Sequence, residues 1–283
     1  MLDFLITPTF EGIAVYLYFV LFLASVIGGV VGALSGGAGM ITMPLLLVSG
    51  INPLQALATN KLQACVGSFV SAAHYYHQGL VDMKESRILM LIATLFGAVG
   101  AILVQFMEIS LLSKILPFVM IAVGAYFLLS PNISDKDRAK NPHKIFLLIS
   151  AAIAGLYGGF LGIGIGSFVL ALLVSVGGYG LSKALAHSRW VVFSINLSST
   201  LLFILGGNVL WILGIMMCVG QSIGASLGAR LAIKHGAKII RPIVICVCFA
   251  LSTQLLIREF FGISRCNFIH KYFYAIMHGF KNL

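Results

Sequence analysis

Long apolar runs separated by short polar loops are the feature that most constrains how this chain folds. They cover most of the 283 residues and lie at 12–34, 40–50, 56–74, 87–107, 111–130, 144–177, 183–205, 208–230 and 241–257. About 20 consecutive apolar residues form a helix long enough to cross the hydrocarbon core of a bilayer. The pattern predicts an all-α, polytopic membrane protein with about eight transmembrane helices.

Composition argues against a soluble fold and against a nucleic-acid partner. Hydrophobic residues make up 60% of the chain and charged residues 9%, whereas a typical soluble domain has about 45–50% and about 25%. The net charge of +10 comes from basic residues in loops, which is the bias expected of cytoplasmic loops. The N-terminus lacks the basic segment of a signal peptide, so we expect the first run to be retained.

Two of the apolar runs do not fit a single membrane crossing. The run 40–50 is too short to span a bilayer, and the run 144–177 is too long for one helix. Glycine clusters interrupt both regions, at Gly36, Gly37 and Gly39 in the first and at Gly162, Gly164 and Gly166 in the second. Since glycine-dense segments end helices, we predict a glycine-broken hairpin in each half of the chain.

The basic loops give an orientation. Loops 74–87, 131–144 and 230–241 all carry Lys or Arg, and the positive-inside rule places them in the cytoplasm. Loops 131–144 and 230–241 lie on the same side of the membrane only if the run 144–177 enters the membrane and returns to the side from which it came. Each half is then a hairpin plus three crossings, and this odd number makes the two halves inverted repeats.

We therefore expect a multi-pass protein of the bacterial inner membrane with both termini outside, although the basic C-terminal tail opposes this orientation. The predicted units are a first membrane repeat at 1–130, a cytoplasmic linker at 131–143, a second membrane repeat at 144–257 and a C-terminal tail at 258–283.

The two halves also correspond in sequence. Gly32 and Gly36 match Gly158 and Gly162 at an offset of 126 residues, and residues 58–61 match residues 186–189 at an offset of 128. In each half a glycine break precedes a short apolar run and a polar, basic segment that opens a long helix. Several matches in the same order favour an ancient duplication.

The glycine clusters have two interpretations. Small residues four positions apart allow helices to pack closely in lipid. Clusters as dense as these also free backbone groups, which are tolerated at membrane depth only inside protein or beside a water-filled cavity. A helix that restarts there directs its N-terminal amides and its positive dipole end toward the gap, which suits an anion.

Lys61 and Arg189 occupy matched positions in the two halves, and two fixed positive charges near amide and hydroxyl donors suit a small oxyanion. The alternative is that both side chains extend to the interface from helix ends. His187 is in addition a candidate proton relay. The candidate substrate-binding residues are Gly36, Gly37, Asn60, Lys61, Gln63, Gly162, Gly164, Gly166, His187, Ser188, Arg189 and Asn196.

Gln221 lies in mid-span beside Gly220 and Ser222. We interpret it as an interhelical hydrogen-bonding residue, with a cavity-lining role as the alternative.

Metal-binding motifs are not found. The sequence has no H-E-x-x-H and no C-x-x-C pair, and cysteines such as Cys65 and Cys218 lie within apolar runs as small packing residues. We predict no enzyme activity, no catalytic residue, no metal and no cofactor. Since no Asp or Glu lies within a predicted span, the coupling ion stays open.

The glycine clusters and the polar helix openings, taken in their order along the chain, resemble those of the sulfite exporter TauE/SafE family. Within that family they resemble the YfcA-type subgroup of membrane transporters. The resemblance covers about Gly28 to about Ile257. It rests on a glycine cluster followed by a proline at 32–44, a helix opening at 58–64 with 79–81 after that helix, and the segments 186–189 and 202–207. Ala38 departs from the family, which often has a glycine there, and the second cluster has no counterpart of Pro44. The resemblance implies transport of sulfite, sulfonates or related small anions.

We therefore expect a secondary transporter that moves a small anion by alternating access. The alternatives are an anion channel, a membrane scaffold protein without a substrate and, third, an intramembrane enzyme. The expected partners are a small anionic substrate and the lipid bilayer, with a homodimer as a possible assembly and no nucleic acid.

Overall fold

The computed structural model describes residues 9–10, 13–112, 114, 115, 118 and 144–235. Most of the predicted run 111–130 lies outside the described residues. The predicted linker, the run 241–257 and the C-terminal tail lie outside them as well.

The described residues are almost entirely helical. Two short antiparallel strands, β1 (Thr9–Phe10) and β2 (Ile13–Ala14), precede the first helix. The helices that follow are α1 (Val15–Ser35), α2 (Ala38–Val48), α3 (Pro53–His77), α4 (Met83–Gln105), α5 (Lys144–Phe160), α6 (Ile165–Ser175), α7 (Leu181–Leu205) and α8 (Trp211–His235).

Four helices of the described part are long and apolar enough to cross a membrane: α1, α7, Ser86–Gln105 within α4 and Trp211–Lys234 within α8. Helices α2, α5 and α6 are apolar but shorter. The 25-residue α3 is not among these four, because it carries buried polar residues that include Asn60, Lys61 and Gln63. The all-α, polytopic architecture is confirmed. The count of about eight transmembrane helices stays a prediction.

The predicted glycine breaks coincide with helix boundaries. Helix α1 ends at Ser35 and α2 begins at Ala38, while α5 ends at Phe160 and α6 begins at Ile165. Gly36, Gly162 and Gly164 have φ angles of 87°, 72° and 71°, in the left-handed region that glycine adopts without a steric penalty. Each glycine-interrupted region, 12–50 and 144–177, is therefore two helices joined at glycines, and the second helix of each pair has 11 residues.

Local capping fixes where the long helices of the first half begin. The Asn52 side chain accepts a hydrogen bond from the Leu54 amide at 2.9 Å, with Pro53 at the first helical position. The Asp82 side chain accepts one from the Lys84 amide at 2.8 Å. Both arrangements satisfy backbone donors that a helix start leaves without a partner.

Helices α3 and α7 pack against each other at the centre. Helix α8 packs against α1 and α3, and helix α4 packs against α5 and α7. The apolar residues form two separate cores. One includes residues of α1, α2 and the start of α3, such as Leu21, Met43 and Leu57. The other includes residues of α5, α6 and the start of α7, such as Ala154 and Val169. Buried polar residues of α3 and α7 belong to neither core.

Glycines set the distance between α8 and α1. A Cβ at Gly224 would lie 2.8 Å from the Val26 carbonyl carbon, and one at Gly228 would lie 2.7 Å from the Val30 Cα. At Gly214, by contrast, a Cβ would meet the end of the Leu62 side chain, at 2.8 Å. Backbone cannot move aside as a side-chain tip can, so only the first two contacts oppose substitution.

We expect Gly224→Ala to destabilise the protein by about 1–3 kcal/mol, the usual penalty for overpacking. Gly214→Ala, on the same helix, should be close to neutral because it gains helix propensity of about 1 kcal/mol. Thermal unfolding in detergent measures both. Equal melting temperatures for the two variants would contradict the close approach of α8 and α1.

Candidate functional site

A small cavity lies where both helix breaks meet α3, α7 and α8. Its volume is about 40 Å³, and a cavity needs roughly 10–15 Å³ by this measure to hold one water. It therefore has room for a few water molecules or for a small ion. The lining includes Gly36 and Gly162 from the breaks, Lys61 from α3, Arg189 from α7 and Gln221 from α8.

The two central helices line the cavity with matched positions. Lys61, Ala64 and Ser68 of α3 correspond to Arg189, Val192 and Asn196 of α7 at the offset of 128 residues, and all six line the cavity. These positions are three and four residues apart, which places them on one face of each helix.

The two cations contact the opposite hairpins. Lys61 Nζ donates a hydrogen bond to the Gly158 carbonyl oxygen. Arg189 Nη1 donates one to the Gly32 carbonyl oxygen at 2.6 Å. Gly32 and Gly158 are themselves a matched pair, so each half supplies a cation that binds the equivalent carbonyl of the other half.

No carboxylate of the described residues compensates these charges. Lys61 and Arg189 are 1% and 2% exposed, and no Asp or Glu belongs to the buried residues of the described part of the chain. Arg189 Nε has no hydrogen-bond partner among the described residues. Removing an ion from water costs several kcal/mol unless it is paired, so the cavity favours a negative charge.

The short helices add donors at the same place. Ala38 and Gly39 in the first turn of α2 line the cavity, and so does Ile165, the first residue of α6. The N-cap residues Gly37 and Gly164 provide no side-chain cap. The first amides of a helix and its dipole favour an anion, so both short helices add to the potential of the two cations.

The amide side chains divide into two groups. Asn60 Oδ1 accepts hydrogen bonds from Thr42 Oγ1 at 2.7 Å and from Gln63 Nε2 at 2.8 Å. Asn196 and Gln221 both line the cavity and are 3% and 2% exposed. Neither forms a side-chain hydrogen bond with a described residue. The second group therefore has hydrogen-bonding capacity available to a bound molecule.

Six of the predicted site residues line the cavity: Gly36, Asn60, Lys61, Gly162, Arg189 and Asn196. The others, Gly37, Gln63, Gly164, Gly166, His187 and Ser188, lie outside the lining. Gly166 accepts a 3.5 Å hydrogen bond from Arg189 Nη2, and Ser188 Oγ donates to Leu185 O of its own helix. The substrate-binding roles of all twelve stay predictions.

His187 lies apart from the cavity lining, where it contacts the first half. Its Nδ1 is 2.5 Å from Ser86 Oγ of α4. Its ring stacks on Tyr179 at 5.3 Å between centroids, and the Lys183 ammonium lies 4.9 Å from the centroid of the same tyrosine. These contacts place His187 at the packing surface between α4 and α7.

Sequence reasoning missed Ser68 and Ser71 as lining residues. Steps of three and four residues from Lys61 along α3 would have found them. It also predicted an interhelical hydrogen bond for Gln221, which is wrong for the described residues. The alternative position, in the cavity lining, is the one observed.

Comparison with known proteins points to one family. The family described as Sulfite exporter TauE/SafE matches residues 21–255. The chain is 37% identical over 254 residues to the Probable membrane transporter protein YfcA of Escherichia coli K12, covering 89% of this chain and 92% of that protein. No solved structure matches.

Two further relatives give the same result. The chain is 38% identical over 247 residues to the Probable membrane transporter protein ORF9 of a Sinorhizobium species, covering 87% of this chain and 95% of the relative. It is 35% identical over 245 residues to a Probable membrane transporter protein of Haemophilus influenzae, covering 86% and 96%. With the family match over most of the chain and apolar helices long enough to span a membrane, these relatives identify the chain as a multi-pass membrane transporter of the TauE/SafE sulfite exporter family.

Proposed function

We propose that the protein is a secondary transporter that carries a small sulfur-containing oxyanion, such as sulfite or a sulfonate, by alternating access. One observation carries the proposal. Lys61 and Arg189, from opposite halves, line one buried cavity without a counter-ion among the described residues. An anion bound between them would offset the penalty of burying both charges.

The size and the donors of the cavity support the substrate class. A volume of about 40 Å³ suits an ion of a few heavy atoms. Arg189 Nε and the Asn196 amide are donors without a partner among the described residues. Several donors at separate points match an ion whose charge is spread over several oxygens. The family name adds sulfite as the first candidate.

Helix directions support the inverted repeat. Tyr76, near the end of α3, lies edge-on to Trp190, in the first half of α7, at 6.2 Å between ring centroids. Thr59 Oγ1, near the start of α3, accepts a 3.2 Å hydrogen bond from Leu210 N, which follows the end of α7. The corresponding helices α3 and α7 thus run in opposite directions, as inverted repeats require.

The contact that each cation makes with the other half of the protein suggests how access alternates. Lys61 binds Gly158 of the second hairpin, and Arg189 binds Gly32 of the first. Rocking of one half against the other would change the two contacts in opposite senses, because inverted-topology halves are related by a pseudo-two-fold axis in the membrane plane. The site would then face each side in turn, in the bacterial inner membrane, with the basic loops in the cytoplasm.

Flux into proteoliposomes tests the function directly. Purified protein would be assayed with sulfite, thiosulfate, sulfoacetate and chloride as separate solutes. We expect saturable uptake of at least one oxyanion, accelerated by the same ion on the opposite side, since a carrier reorients faster when loaded. Chloride should not produce this acceleration.

Two results would contradict the proposal. Flux that rises linearly with concentration and includes chloride would identify an anion channel. The absence of flux of every anion, from protein with an unchanged melting temperature, would favour the scaffold alternative.

A further inference from the structure

We propose that Gln221 is a specificity-determining residue whose side-chain amide binds an oxygen of the transported oxyanion. The inference rests on the proposed anion transport and adds a third contact to the two cations. It concerns α8, where the sequence favoured an interhelical hydrogen bond for Gln221 and left a cavity-lining role as the alternative.

The Gln221 side-chain amide is buried and has no hydrogen-bond partner among the described residues. The side chain is 2% exposed and lines the cavity that Lys61 and Arg189 share. Its Oε1 is buried without a partner, and its donor Nε2 forms no hydrogen bond with any described residue either. A polar group buried without a hydrogen bond is destabilising by roughly 1–3 kcal/mol in proteins. An oxyanion oxygen that accepts a hydrogen bond from Nε2 would satisfy the donor end of this amide.

Neighbouring glycines make room for Gln221. A Cβ at Gly67 of α3 would lie 2.8 Å from Gln221 Nε2, so Gly67 makes room for the side chain. A Cβ at Gly29 of α1 would lie 2.5 Å from the Gln221 backbone carbonyl oxygen, so Gly29 lets α1 approach the backbone of α8. Gly67 and Gly29 also line the cavity. Helices α1, α3 and α8 therefore form a fitted space around one amide, rather than leaving it at a loosely packed boundary.

The position has no counterpart in the other half. At the offset of 128 residues Gln221 corresponds to Ala93 of α4, which is fully buried and does not line the cavity. The two cations are a matched pair, whereas Gln221 adds a donor on one side only. The site therefore suits an ion that has further oxygens to present on that side.

This asymmetry predicts how the site selects among anions. A monatomic ion held by the two cations has no second atom to offer to Gln221. An oxyanion such as sulfite has three oxygens and can contact both cations and the amide together. Gln221 should accordingly contribute to the affinity for sulfite and very little to that for chloride.

Gln221→Leu tests the inference because it keeps the approximate size and removes the amide. We expect the KM for sulfite to rise by about tenfold, the loss expected for one hydrogen bond to a charged group. Inhibition by chloride should stay unchanged, so selectivity for sulfite over chloride should fall by about the same factor. The melting temperature should stay level or rise, since an unpartnered amide has been removed.

Gln105→Leu is the matched control. Gln105 Nε2 donates to Ala101 O at 2.9 Å, and its Oε1 accepts from Asn208 Nδ2 at 3.3 Å, and it does not line the cavity. We expect this variant to lower the melting temperature and leave the KM unchanged. Gly67→Ala is a second route to the same effect, because its Cβ displaces the Gln221 amide and should also raise the KM.

The outcomes separate the two proposals. If wild-type protein moves sulfite saturably and Gln221→Leu has an unchanged KM, the role of Gln221 is wrong and the proposed function stands. If the affinities for sulfite and chloride fall equally, or the melting temperature falls, Gln221 is a structural residue. If the wild type neither moves sulfite nor is stabilised by it, the proposed function fails and the inference fails with it.

Discussion

Lys61→Met and Arg189→Met should each reduce oxyanion flux by at least about 100-fold. Each variant removes one of two buried charges that face the same small cavity. Losing one partner of a buried, hydrogen-bonded charge pair typically costs about 2–5 kcal/mol, and here the other partner would be the substrate itself. The measurement is initial-rate uptake in proteoliposomes, normalised to the amount of folded protein.

A structural role for the same residues gives a different result. If Lys61 and Arg189 only joined the two halves through Gly158 and Gly32, their loss would lower the melting temperature. If they hold the substrate, the variants lose an uncompensated buried charge and should remain folded, because apolar replacements of buried charges are often neutral or stabilising. Full flux in both variants would disprove the site.

Exposed cations provide the matched controls. Lys84 and Arg230 are exposed in the described structure, so Lys84→Ala and Arg230→Ala change the net charge equally without altering the cavity. We expect both to retain near wild-type flux. Arg189→Lys should lie between the extremes, because an ammonium keeps the charge but cannot reproduce the forked contacts of Arg189 with Gly32 and Gly166.

Gly36→Ala should abolish transport and reduce stability. Gly36 has a φ of 87°, a region in which an L-residue costs roughly 1–2 kcal/mol. Its Cβ would also lie 2.6 Å from the Ser167 backbone nitrogen in the opposite hairpin. Because the backbone at Gly36 faces the backbone at Ser167, an added Cβ forces the two hairpins apart. Their separation widens the cavity between the two cations.

Gly50→Ala separates these two effects. Gly50 has a nearly identical φ of 85°, but a Cβ there would meet nothing within 4 Å. We expect this variant to lose only the conformational contribution and to keep its transport rate. Thermal unfolding and sulfite uptake of the two variants, measured together, give the comparison. Equal loss of transport in both would show that the close approach of the hairpins is unimportant.

The sequence by itself determined the helices and their breaks. Runs of about 20 apolar residues identify spans because a helix of that length matches the hydrocarbon core of a bilayer, where unpaired backbone groups are too costly. The glycine clusters marked the boundaries between α1 and α2 and between α5 and α6 because glycine adopts the left-handed conformation found at Gly36 and Gly162 without a steric penalty. Both signals are local, so they can be detected without knowing what each helix packs against.

Internal correspondence extended the prediction to Lys61 and Arg189. Two cations at matched positions of related halves indicated a shared site, and both residues line one cavity. Asn60, next to Lys61, lines the cavity as well, but the residues next to Arg189 do not. His187 and Ser188 are within two positions of Arg189 but point to other partners, because successive residues of a helix face different directions.

Only the tertiary structure decided which residues from different helices meet. It places Lys61 against the second hairpin and Arg189 against the first, and it leaves the Gln221 amide beside Gly67 without a partner. Hydropathy and spacing describe the faces of one helix, whereas these contacts depend on how α1, α3, α7 and α8 pack together. The sequence therefore determined the helices and the charges, and packing decided the cavity and the donors that complete it.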